Sequence, residues 1–206
     1  YDSNDMVKAD CGGCEGCSQC CRGMGSSIIL DPYDVYRMTT GMGKSMQELL
    51  AASVELNVVD GVILPNLKMQ GAEEACAYLD GEGRCSIHPY RPGICRLFPL
   101  GRYYENGGFS YFLQTGECAK ENRSKIKVSK WIDTPDLTRN QQFTLQWHDL
   151  LHAMEERLTG EDEGKQREEN LLLLRLFYLL PYEGTIDFYT QFTERMEHWN
   201  GQNGQI

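Results

Sequence analysis

Four cysteines at a strict three-residue interval, Cys11, Cys14, Cys17 and Cys20, with Cys21 directly after, constrain this chain more than any other stretch. Five of its nine cysteines therefore fall within eleven residues. Thiolates gather this densely when something soft has to be held, because cysteine sulfur is the preferred ligand of zinc and of iron–sulfur iron. Gly12, Gly13 and Gly16 let the backbone turn tightly enough for successive sulfurs to face one centre. The bland alternatives, small buried hydrophobes or disulfide half-cystines, explain neither the spacing nor the odd count. Vicinal Cys20-Cys21 is also poor geometry for several unstrained bridges. A reduced, metal-bound protein of the cytoplasm is the expectation.

Bacterial ferredoxins use C-x2-C-x2-C with a distant fourth cysteine. Cys14, Cys17 and Cys20 meet that local pattern, and Cys11 extends it by one step. Adjacent side chains alternate in an extended segment, so Cys20 and Cys21 either serve different sites or one of them is only packed. The remaining cysteines, Cys76, Cys85, Cys95 and Cys118, are scattered. Zinc sites usually pair two CxxC knuckles, whereas Cys76, Cys85 and Cys95 stand with eight to nine residues between them. That ranks iron–sulfur ahead of zinc. His88, between Cys85 and Cys95, is either a metal ligand, a group that supports the ligands from behind, or an ordinary surface or packing histidine.

Around these cysteines the chain reads as α+β. Residues 1–10 are polar and expected to be weakly anchored. Ser27 to Leu30 suits a short strand, and Asp31-Pro32 starts a helix that runs to about Thr40 and stops at Gly41. Ser45 with Glu48 reads as a capping box for a helix over about 45–54. Gly41-Met-Gly43-Lys44-Ser45 imitates the end of a phosphate-binding loop, but Met38 stands where that loop needs glycine. Turn signals at Asp60-Gly61 and at Glu105-Asn-Gly-Gly108 mark two hairpins. Three helices are expected over about 136–158, 164–180 and 185–198. Leu150, Leu151, Met154 and Leu158 share a face of the first, and Leu172, Leu173, Leu176 and Leu180 a face of the second.

The net charge of −10 argues against nucleic-acid binding, which needs a basic face. No stretch is apolar enough to span a membrane, since Arg175 interrupts the greasiest run. Residues 84–130 carry nine Lys/Arg against three Asp/Glu, while residues from Asp133 onward carry fourteen acids against six bases. The shift marks the expected division into a cysteine-cluster metal-binding domain, 11–132, and a helical C-terminal extension packed on it, 133–200. The basic middle is suited to offsetting thiolate charge, or is ordinary solvated surface.

The run Cys14-Glu-Gly-Cys17-Ser-Gln-Cys20-Cys21 resembles the signature of the CxxCxxCC family of zinc- or iron-chelating domains, related to flagellin lysine N-methylase. So does Gly83-Arg84-Cys85-Ser-Ile-His-Pro-Tyr90-Arg91-Pro92-Gly-Ile-Cys95-Arg96-Leu-Phe98-Pro99. The resemblance spans roughly residues 11–132. It implies Cys14, Cys17, Cys20, Cys21, Cys76, Cys85, Cys95 and Cys118 as metal ligands, enough for two four-thiolate sites. Cys11 is an addition that could replace one of them. Arg91 and Arg96 are suited to charge compensation or hydrogen bonding beside the thiolates, or else to surface salt bridges.

The expected architecture is an irregular cysteine-rich core with a short β-hairpin, followed by a helical part. The expected function is to hold one or two iron–sulfur clusters, of the 4Fe–4S type, for electron transfer to a protein partner. A structural Zn2+ protein, a metal chaperone that exchanges through a surplus thiol such as Cys11, and a cluster-assisted protein-lysine methyltransferase are the alternatives. Against the last, the chain has no Gly-rich strand–helix motif for S-adenosylmethionine and no CxxxCxxC. No catalytic residues are assignable.

Overall fold

The local signals settle the first half of the chain. In the computed structural model, which describes residues 1–12, 17–120 and 122–203, Asp31 caps helix α1 (Pro32–Met42). Its carboxylate accepts from the Asp34 amide at 2.8 Å, and Asp34 returns the bond to the Asp31 amide at 3.3 Å, closing a capping box. Ser45 and Glu48 repeat the device at α2 (Met46–Ala52). Helix α1 passes through Gly41 and ends at the left-handed Gly43. Gly41 is not a stop: the ring of Tyr90 lies where its Cβ would be.

The two turn signals make antiparallel hairpins. Strands β2 (Val54–Val59) and β3 (Val62–Leu67) join at Asp60-Gly61, both at positive φ (51° and 83°), the geometry that matches strand twist. Strand formation from Val54 cuts the second helix short of its expected end. Ile29 bridges Asn66 beside them, so the stretch expected as a strand adds a third, brief rung. Short strands β4 (Met69–Gln70) and β5 (Ala75–Cys76) pair next, and helix α3 (Gly93–Leu97) carries Cys95. Strands β6 (Leu100–Glu105) and β7 (Gly108–Leu113) close through Asn106-Gly107.

The N-terminal residues are anchored, contrary to expectation. Met6–Asp10 form strand β1, which pairs antiparallel with β8 (Ser124–Lys127). In Met-Val-Lys-Ala-Asp the alternation is complete: Val7 and Ala9 are buried while Met6 and Lys8 are exposed. Val7 and Ala9 pack with Leu97, Leu100, Tyr111 and Val128, and with Trp131 and Ile132 of helix α4 (Val128–Ile132).

Helices α5 (Leu137–Leu158), α6 (Glu163–Leu174) and α7 (Phe188–Asn203) form the C-terminal part. Leu150, Met154 and Leu158 of α5 are buried as the spacing requires, in one apolar cluster with residues of α1, α2, β2 and β3. The second stripe breaks. Leu173 and Leu176 are buried, but Leu180 is 48% exposed. A π turn at Arg175–Leu179, where the Leu180 amide donates to the Arg175 carbonyl at 2.9 Å, inserts an extra residue and rotates Leu180 off the buried face. Buried Arg195 of α7 donates to the carbonyls of Leu176, Leu180 and Pro181 at 2.7–3.0 Å, satisfying the helix end. Among the described residues, no helix is long and apolar enough to cross a membrane. The fold is α+β, with short antiparallel hairpins and C-terminal helices.

Candidate metal centre

Four separated segments bring cysteines to one cavity. The first is a 3-10 turn, Gln19–Cys21, whose exit is stitched to the β4–β5 loop: Arg22 bridges Ala75, the Gly23 amide donates to the Glu74 carbonyl at 3.0 Å, and Arg22 pairs with Glu73. The second is Cys76, opposite Met69 in the β4–β5 pair. The third is Cys85, bridged to Leu79 across a turn in which the Asp80 carboxylate accepts from the amides of Glu82 and Arg84 at 3.0 and 2.8 Å. The fourth is Cys95 on α3.

Helix α1 holds that last segment in place. The Asp34 carboxylate accepts from the Gly93 amide at 2.6 Å and faces the Arg96 guanidinium at 4.0 Å. Arg37 donates to the Pro89 carbonyl, and Gly41 receives the Tyr90 ring. The same carboxylate thus caps its own helix and positions the Cys95 helix. The Asp31 cap was visible in the sequence; the part played by Asp34, and its partner 59 residues away, was not.

The resulting cavity has a volume of about 900 Å³ and is lined by Cys17, Cys20, Cys21, Cys76, Cys85 and Cys95. Its walls are otherwise mainly apolar, with Ile28, Leu67, Tyr78 and Phe98 among them, and Arg84, His88 and Arg91 supply cationic and polar character. Arg91 meets the His88 ring nitrogen at 2.6 Å. Burial, followed by the charges of Arg91 and Arg84, pushes the His88 ring below its ordinary pKa, so it is biased to the neutral form. Arg91 lines the cavity together with the thiols. Arg96 does not line the cavity; it is buried against Asp34, donates to Thr134 at 3.1 Å and stacks over Tyr33 at 5.7 Å.

The thiols sense one another. A hydrogen bond from Cys21 draws the Cys20 thiol down to about 7, against the effect of burial and with help from Arg91. That same bond, with burial and the negative potential of Cys20, Cys76 and Cys95, pushes Cys21 up. Burial pushes up Cys76, Cys85 and most of all Cys95, where the charges of Asp34 and the other thiols add to it. One thiolate forms readily here, but several cannot coexist without a cation among them. A bound cation reverses that balance and takes the place of the protons.

Cys11 and Cys118 lie elsewhere. Together with Cys17 and Cys20 they line a much smaller pocket of about 20 Å³, backed by Phe98, Pro99 and Trp131. Cys17 and Cys20 therefore border both spaces, and Cys21 only the larger one. Cys14 lies outside the described residues. Among the described residues no three His, Cys, Asp or Glu side chains stand ready to close on one metal ion. The donor set nonetheless fits a soft metal: it is almost entirely thiol, in a largely apolar enclosure with compensating arginines. Sequence reading missed the enclosure and its apolar walls, because Ile28, Leu67 and Phe98 are ordinary core residues until their placement around the thiols is seen.

Comparison with known proteins agrees with this chemistry. Residues 13–128 match the family model CxxCxxCC, described as "Putative zinc- or iron-chelating domain". Searches of curated proteins and of solved structures found no match. With the match covering more than half of the chain, this protein belongs to the CxxCxxCC family of zinc- or iron-chelating domains.

Proposed function

We propose that the chain holds an iron–sulfur cluster in the large cavity through Cys21, Cys76, Cys85 and Cys95, and passes electrons to a protein partner. The observation that carries this reading is the size of the thiol-lined space. Four thiolates at about 2.3 Å from a single zinc leave between them room for no more than about one water-sized body. The cavity is about 900 Å³. A multi-iron body, with thiolates spread over its faces, suits a space of that volume better than one tetrahedral ion. When bound, such a cluster supplies one-electron chemistry at a potential set by its charge, hydrogen bonds and exposure.

The chain's own residues set those terms. Arg91 offsets negative charge beside the thiolates, and Arg84 and His88 share the same rim. Apolar walls limit water, and half-exposed Ile94 at the cavity edge gives a partner an apolar contact next to the centre. Helix α1 fixes the Cys95 segment through Asp34, which keeps at least one ligand from wandering.

Protein produced without oxygen tests this. The expected result is iron and acid-labile sulfide in comparable amounts, with broad visible absorption that Cys95→Ser abolishes together with a fall in melting temperature, since ligation and folding are coupled. Stoichiometric zinc without sulfide overturns the cluster and makes the protein a zinc-binding member of its family.

A further inference from the structure

We infer that Cys11, Cys17, Cys20 and Cys118 form a second thiolate site that takes a single divalent ion, of the zinc(II) or iron(II) class, distinct from the centre in the large cavity. The inference rests on the reading of Cys21, Cys76, Cys85 and Cys95 as ligands of that larger centre. Two observations carry it: the fold delivers these thiols from two directions to one place, and the place has the size of one ion.

Delivery is the work of the β1–β8 ribbon. Asp10, the last residue of β1, pairs with Ser124, the first of β8, and the Ser124 hydroxyl donates to the Asp10 carboxylate at 3.1 Å. The other oxygen of that carboxylate accepts from the Gly12 amide at 3.0 Å, turning the chain immediately beyond Cys11. Cys11 thus leaves the ribbon at the end where the segment carrying Cys118 enters it. Cys17 and Cys20 reach the same pocket from the approach to the 3-10 turn and from the turn itself.

Size separates the two sites. The pocket lined by these four thiols measures about 20 Å³, room for one water-sized body. That volume suits one tetrahedral ion held by four sulfurs better than a multi-iron body. Neither Cys11 nor Cys118 lines the large cavity, and none of Cys76, Cys85 and Cys95 lines the small one. Phe98, Pro99 and Trp131 wall off the small pocket, with the Trp131 indole donating to the Leu97 carbonyl at 3.2 Å to hold that wall. Lys120 at the lining places positive charge beside thiolates whose sum exceeds the charge of the ion. Closure on the ion takes side-chain rotation, because no such group stands preformed among the described residues.

Metal and sulfide content of anaerobically produced wild type, Cys118→Ser, Cys11→Ser and Cys76→Ser decides the matter. Cys118→Ser and Cys11→Ser are each expected to lose one metal equivalent per chain while keeping sulfide and visible absorption. Cys76→Ser is expected to lose sulfide and absorption while keeping that one equivalent. Unchanged total metal in Cys118→Ser, or loss of its visible absorption, overturns the division. Should the variants fail to fold, wild type reconstituted with cadmium-113 is expected to show at least two thiolate-ligated resonances, and a single one overturns the inference. A wild type that binds two zinc ions and no sulfide, with Cys118→Ser binding one, removes the cluster reading but leaves the second site standing.

Discussion

Replacing Gly41 with alanine separates two opposite expectations. Alanine inside a helix is ordinarily better than glycine by about 1 kcal/mol, so on propensity alone the change stabilises. The structure reverses the sign. A Cβ at Gly41 would lie 2.3 Å from Tyr90 Cδ1, 2.4 Å from Cε1 and 2.8 Å from Cγ. Carbon atoms rest at about 3.5–4.0 Å, so the ring has to retreat by roughly 1 Å. Because Cγ sits at the root of the ring, swinging the ring about its own axis is no relief, and the turn His88–Tyr90 has to move. Overpacking of this kind costs about 1–3 kcal/mol, and the rigid geometry argues for the upper part of that range. Against the gain of about 1 kcal/mol, the net is a loss of about 2 kcal/mol, a fall of about 4–8 °C in melting temperature for a chain of this length. The displaced turn leads into Arg91 and the Cys95 helix, so metal content should fall as well. Gly201 in α7 is the internal control: its Cβ would meet nothing within 4 Å, and Gly201→Ala should be neutral or slightly stabilising. Thermal unfolding in the Tyr90→Ala background closes the cycle, since removing the ring should turn Gly41→Ala stabilising. If Gly41→Ala raises the melting temperature in the presence of Tyr90, the argument from close approach is wrong.

Two further predictions concern buried charges. Burial, reinforced by the charge of Asp31 and opposed by Arg96, pushes the Asp34 carboxyl up to about 7 from an ordinary value of 3.8. Between those values the folded chain holds a proton that the unfolded chain has released. The stability this group contributes is therefore present at low pH and is lost as pH rises toward 7. Unfolding free energies at pH 4.5 to 7.5 should show that slope flattened in Asp34→Asn, atop a pH-independent loss from the weakened Gly93 contact; equal slopes in the two proteins would refute the assignment. Arg195→Met strips three carbonyls of their donor and should cost on the order of 3 kcal/mol, read as an earlier urea midpoint. A change below about 0.5 kcal/mol would mean that water takes over the role of the guanidinium.

What could be read from the chain follows from sequence separation. Capping at Asp31 and Ser45, and hairpins at Asp60-Gly61 and Asn106-Gly107, need only residues within one turn of each other, and each formed as the spacing required. The β1–β8 pairing joins residues more than a hundred positions apart; the alternation in Met6–Asp10 was present, but nothing in it names a partner. Gly41 looked like a helix stop because the Tyr90 ring that requires it comes from another segment. Leu180 was assigned to the buried face on a 3.6-residue period that the π turn interrupts. The cysteines divide the same way. Their identity marked a soft-metal protein, but which thiols share a space depends on β4–β5, α3 and the ribbon. Arg91 and Arg96 have equivalent chemistry in sequence, and only the placement of α3 against α1 turns Arg96 away from the thiols toward Asp34.

The ribbon has a consequence for the order of events in folding. Bringing Cys11 to Cys118 closes a loop of roughly a hundred residues, and the entropy lost in that closure grows only slowly with length but is substantial at this span. Pairing β1 with β8 is a contact that needs no metal to offset that loss, with Val7 and Ala9 entering the core as the compensating gain. A metal ion then meets thiols already gathered at high effective concentration. Truncating β1 should therefore slow metal capture at the small pocket, even with all four sulfurs intact.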